Sequence, residues 1–174
     1  MSRAVKGGDR PADTRRVKTG VDHSGSGVSL LVCGTGGKTF AVPLSAVRET
    51  MRPLTASPFP GMPSFLLGVA RIRGRAVPVV DVGVLTGGEP VPATRWITLA
   101  ASNHRQVALA VEKVIGIRTL AETELEALPP LLDGDGPQLF SAIATRDQEL
   151  LLALQASHLV PEEVWDRLSE VASS

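Results

Sequence analysis

The sequence predicts a mostly β protein, and three observations predict it. Apolar runs of five to eight residues recur along the chain. Clusters of Gly, Pro, Asn and Asp separate them, as tight turns between strands require. Sustained helical periodicity is confined to the last segment.

Residues 1–27 precede this pattern as a Gly/Ser/Asp/Arg-rich leader with six basic and three acidic residues and almost nothing to bury. That composition is expected to be disordered. The body, 28–174, opens with Val28–Cys33 and Lys38–Val42 around Gly34-Thr35-Gly36-Gly37, a hairpin signal. Pro43 suits the first turn of a helix, so Leu44–Met51 is read as a brief helical stretch. The proline-rich Pro53–Ser64 is loop.

Phe65–Ile72 and Arg75–Val82 are strands joined by a basic turn, where Gly74 can adopt φ > 0 without a Cβ clash. Thr94–Ala101 and Gln106–Val111 flank Ser102-Asn103-His104, a further hairpin, and Val114–Leu120 is another strand. The acidic Glu122–Gly136 is a long connection with room for one helical turn. Leu139–Thr145 and Glu149–Gln155 pair around Arg146-Asp147-Gln148. An amphipathic helix, Pro161–Val171, closes the chain with Val164, Trp165, Leu168 and Val171 on one side. Nine or ten short strands argue for a barrel or a sandwich, and periodicity alone does not choose between one large barrel and two small ones.

Composition narrows the function classes. Net charge is zero, so no global field points to nucleic acid or an acidic surface. There are no tyrosines and few aromatics, and none interleave with basic residues as base-stacking strands require. No apolar run reaches the roughly 18 residues of a membrane span, and the leader has no apolar signal-peptide core, so the protein is expected in the cytoplasm. The single cysteine, Cys33, lies in an apolar run and is expected to be buried and inert.

No enzyme's constellation emerges. Gly37-Lys38-Thr39 lacks both the upstream glycine and the following helix of a phosphate loop. His23, His104 and His158 have no metal-ligand spacing, and Asp133-Gly134-Asp135-Gly136 lacks the ligand series of a calcium loop. Neither metal nor cofactor is expected. The remaining feature is the tip Arg71-Ile72-Arg73-Gly74-Arg75, where guanidinium forks can meet a partner's carboxylates or carbonyls.

The order of segments resembles the CheW-like family, adaptors of bacterial chemotaxis signalling. Gly68-Val69-Ala70-Arg71-Ile72-Arg73-Gly74 followed by Pro78-Val79-Val80-Asp81 is similar to the family's Gly-Val/Ile-x-Asn-Leu-Arg-Gly hairpin and Pro-Val/Ile-x-Asp strand. Phe40-Ala41-Val42-Pro43, Val47-Arg48-Glu49, the proline loop Pro58–Pro63, Val107–Ile117 and Leu128-Pro129-Pro130 match further family segments in order. Arg71 stands where the family has Asn, Gly83 follows Asp81-Val82 where Leu-Arg is common, and Ser141 and Gln155 depart near the late strands.

The resemblance implies two five-stranded, SH3-like β-barrels on a shared core, with short helices and a C-terminal helix. It implies a non-catalytic adaptor working at membrane-associated receptor arrays. One face would dock on the regulatory domain of a CheA-type histidine kinase, and a groove between the barrels would receive the cytoplasmic tip of a chemoreceptor. Within that groove Arg73 is the polar anchor, Val47 offers apolar contact and Glu49 is placed to hold the Arg73 fork. Arg71 joins them as the added charge beside the tip. The departures leave room for a parallel chemosensory pathway, such as twitching motility, or for an orphan module that no longer binds kinase.

Overall fold

The computed structural model describes residues 27–126, 140–146 and 149–172. Two five-stranded sheets form the body. The chain first lays down β1 (Gly27–Thr35) and β2 (Lys38–Pro43) in one sheet. It then crosses to build all of the second: β3 (Val47–Met51), β4 (Leu66–Ile72), β5 (Arg75–Asp81), β6 (Arg95–Ala100) and β7 (Gln106–Val111). It returns to the first for β8 (Lys113–Ala121), β9 (Phe140–Arg146) and β10 (Glu149–Leu154). The strand orders are β8-β1-β2-β10-β9 and β3-β6-β7-β5-β4, antiparallel except for β10 on β2 and β5 on β7.

Strand alternation sorts the side chains into three cores. In β1, Leu30 and Val32 join Ala41, Leu120 and Leu151 inside the first barrel, while Leu31 and Cys33 face the opposite way. In β7, Ala108 and Ala110 line the second barrel beside Ala70, and their small volumes leave space for the Trp96 indole. Val107, Leu109 and Val111 turn to the other face. Those outward sets, with Phe40, Val42, Ile97 and Leu99, make one core shared by both barrels. Strands buried on both faces read as continuous apolar runs. The last helix, α2 (Glu162–Ala172), seals the shared core with Val164, Trp165 and Leu168. Arg105 fixes it there, donating to both carboxylate oxygens of Glu162 at 2.8 Å, with its guanidinium 5.0 Å from the Trp165 ring centre.

The mostly β, two-barrel architecture with short helices and a C-terminal helix is as expected, and four local expectations are corrected. Leu44–Met51 is not a helix: a 3₁₀ turn, Leu44–Ala46, passes into β3. Pro43 starts the turn, but β-branched Val47 and Thr50 and the pairing of Thr50 with Ile97 carry the rest into the sheet. Val82 is not strand but opens a short helix, α1 (Val82–Leu85), because the Asp81 carboxylate caps it by accepting from the Val84 N–H at 3.1 Å. Val171 is 73% exposed, past the buried stripe of α2. Gly34 and Thr35 belong to β1, leaving Gly36 and Gly37 as the turn.

The disorder expected of the leader, with His23, falls outside the described residues apart from Gly27, which is already in β1. Of the acidic connection, Glu122–Glu124 form a 3₁₀ turn, and 127–136 lie outside the described residues, as does the Asp147-Gln148 turn. Among the described residues no helix is long and apolar enough to cross a membrane.

Cys33 is fully buried, and desolvation pushes its thiol up to about 12. The native protein should therefore resist iodoacetamide at about pH 8.5, where a free thiol is half ionised, and react once unfolded. Mass spectrometry of both samples checks this; rapid native labelling would contradict the burial of β1.

Candidate functional site

The site begins at the β4–β5 hairpin. Ile72 pairs with Arg75, so Arg73 and Gly74 alone make the turn, at φ 47° and 79°. Both residues are left-handed, as a type I′ turn requires, and its twist matches that of the flanking strands. Glycine at the second position suits this geometry. Arginine at the first does not, because its Cβ crowds the backbone as glycine's hydrogen does not, and its long side chain lacks the local hydrogen bond by which asparagine offsets that crowding. Arginine therefore occupies this turn against its backbone preference.

That side chain reaches across the barrel. β3 and β4 are opposite edges of the second sheet, yet Met51 of β3 packs on the same cluster as Ala70 and Ile72 of β4. The sheet therefore curls its two edges toward each other, and the Arg73–Glu49 pair spans the seam between them. Arg73 Nε donates to Glu49 Oε1 and Nη2 to Oε2, both at 2.8 Å, a two-pronged fork. The Arg73 side chain is 80% exposed and that of Glu49 28%. The guanidinium is thus oriented from below while its outer face meets solvent.

Glu49 is itself positioned. A register shift between Val47 and Glu49 interrupts the β3–β6 ladder. The buried Thr98 hydroxyl fills the gap, accepting from the Glu49 N–H at 3.2 Å and lying 3.4 Å from the Glu49 carbonyl oxygen. The hydrogen bond from Arg73 holds the Glu49 carboxyl below its usual value, and the same bond raises Arg73. A depressed carboxylate stabilises the fold above its unfolded pKa, and the contribution is lost as pH falls through the folded value. The clasp should stay closed through the neutral range and open only in acid. A carbon-13 titration should place Glu49 below an ordinary glutamate in the native protein and return it to the ordinary value in Arg73→Asn. An ordinary value in both would contradict the fork.

The other two residues of the expected set are placed differently. Val47 is half-buried and packs against the shared core. Arg71 does not join the clasp. Ala70 and Ile72 point inward, so Arg71 points out between them and lines a groove against α2. The structure therefore brings Arg73 and Glu49 together and leaves Arg71 apart.

Sequence reasoning gave no role to Gly68, which the site depends on. It sits at the bulge opening β4, at φ 142°, directly over the proline loop. Its missing side chain lets Ser57 exchange two 2.9 Å backbone hydrogen bonds with Val69. Its place in the hairpin motif was the available signal. Lys38, from the discarded phosphate-loop triplet, donates to the Thr86 carbonyl at 2.8 Å, tying the β1–β2 tip to the segment after α1. Among the described residues no group of His, Cys, Asp or Glu is placed to hold a metal.

Comparison with known proteins agrees with the fold and the hairpin. The family model for the CheW-like domain matches residues 29–164. The chain is 25% identical over 139 residues to the chemotaxis protein CheW of Rhizobium meliloti, covering 79% of this chain and 90% of that one. It is 30% identical over 131 residues to protein FrzA of Myxococcus xanthus, covering 72% and 80%. The crystal structure of the scaffolding protein TtCheW from Thermoanaerobacter tengcongensis matches with a TM-score of 0.67 at 20% identity, over 76% of this chain and 91% of that one. At that identity the agreement is one of fold.

Proposed function

The chain belongs to the CheW-like domain family, whose members are non-catalytic scaffolds of chemosensory signal transduction, and on that premise we propose that it couples chemoreceptors to a CheA-type histidine kinase. The observation that carries this reading is the Arg73–Glu49 clasp: a strained, exposed arginine, oriented by a buttressed carboxylate at the mouth of the barrel seam. Preorganised arginines of this kind make strong interface anchors, because little side-chain freedom is lost on docking. The receptor tip would engage Arg73, with Val47 supplying apolar contact. A different face would hold the kinase regulatory domain, itself a homologous pair of barrels. Receptor state would then bias a two-state kinase through the geometry the adaptor imposes. The protein would act at the cytoplasmic face of receptor arrays.

The pathway is a separate question, since the chain is similar both to chemotaxis proteins and to protein FrzA. Calorimetric titration with the regulatory domain of each CheA-type kinase of the same organism decides it. Saturable binding near micromolar to one kinase identifies the pathway. A folded protein that binds none of them contradicts kinase coupling and favours an orphan scaffold.

A further inference from the structure

A groove of about 700 Å³ lies between the Thr55–Phe59 segment, the β4–β5 hairpin and the last turns of α2. Phe59, Val69, Ala76, Leu168 and Val171 give it an apolar lining, and Val171, at the end of the helix stripe, stands 73% exposed at its rim. Two guanidinium groups interrupt that lining. Arg167 Nη1 donates to the Pro60 carbonyl at 2.7 Å, which pins its head over the loop. Arg71 makes no hydrogen bond or ion pair among the described residues. Glu170, the one acid of the lining, is already engaged in an interaction of its own.

We propose that this groove is a binding site for a small amphipathic anion, an apolar monocarboxylate whose head is forked by Arg71 and whose body lies against Phe59, Val69, Leu168 and Val171. Four observations select this occupant. The volume falls within the roughly 300–1,000 Å³ of small-molecule sites. The arginine fork matches a carboxylate in two-pronged geometry. Ser57 already takes both backbone groups of Val69, so a partner strand cannot add to the β4 edge there. The chain's own leader, with six basic residues against three acidic, would be repelled by the two arginines. The inference stands independently of kinase or receptor coupling.

The test is calorimetric titration of the full-length protein with decanoate below its micelle concentration, and with decylamine as the probe of opposite charge. Backbone amide NMR shifts report the location. Decanoate should saturate at one per chain, shift Val69, Ala76 and Leu168, and bind at least about tenfold more tightly than decylamine. Arg71→Glu should weaken decanoate by at least about tenfold at unchanged melting temperature, with Arg71→Gln as the substitute should the charge reversal fail to fold. Absence of saturable binding, equal affinity for the amine, shifts elsewhere on the surface, or undiminished binding by the Arg71 variants would each overturn the proposal.

Discussion

Arg73→Asn should keep or raise the melting temperature while weakening receptor-tip binding by at least about tenfold. The two effects separate because they arise in different parts of the residue. The backbone of Arg73 is left-handed, at φ 47°, where asparagine is more comfortable than arginine. The guanidinium is largely exposed and, among the described residues, hydrogen-bonds only with Glu49, so its loss removes little buried structure. Arg73→Ala is the companion variant. It loses the fork and, unlike asparagine, has no side-chain amide to hydrogen-bond the left-handed turn, so it should melt no higher than the asparagine variant and bind equally poorly. Circular dichroism melts with binding to a receptor-tip fragment check both. A marked fall in melting temperature for Arg73→Asn would show that the clasp's task is to hold the barrel seam closed.

Gly68→Ala should be the most damaging single methyl in the hairpin. A Cβ there would sit 2.6 Å from the Ser57 carbonyl carbon, 2.7 Å from its oxygen and 2.9 Å from the Pro58 nitrogen. All three are backbone atoms, so no side chain can swing aside. The residue is also held at φ 142°, a region that L side chains rarely adopt. Either the Ser57–Val69 bonds break and the proline loop lifts, or β4 shifts at its bulge. Urea unfolding should show a loss of about 2 kcal/mol or more. Because Ser57 and Val69 also line the groove beside α2, decanoate binding should fall with it. An unchanged midpoint would mean that the loop does not pack on β4 as described.

The parts of this fold that were legible in sequence were those governed by local chemistry. The Arg73-Gly74 turn announces itself because a glycine there sits between two β-rich runs. The α2 stripe is legible for the same reason, up to Val171, where the helix outlasts its core. β3 was not legible, since Pro43 and the Leu-Ser-Ala that follows favour a helical turn, and only pairing with β6 makes Val47–Met51 extended. The division of β1 and β7 between two cores was hidden because residues buried on either face look alike in a continuous apolar run. The site was legible in part. Glu49 and Arg73 lie far apart in sequence, and it was the family resemblance, not their spacing, that paired them. Arg71 is two residues from Arg73, yet strand alternation and the turn send the two to different places.

Receptor-dependent kinase autophosphorylation tests coupling most directly. The assay combines receptor tips displayed on vesicles, the CheA-type kinase selected by titration, and the full chain, each also omitted in turn. Coupling predicts that phosphorylation responds to receptor only when the chain is present, and that Arg73→Asn abolishes the response while still binding kinase. A response that is the same with and without the folded chain would contradict it.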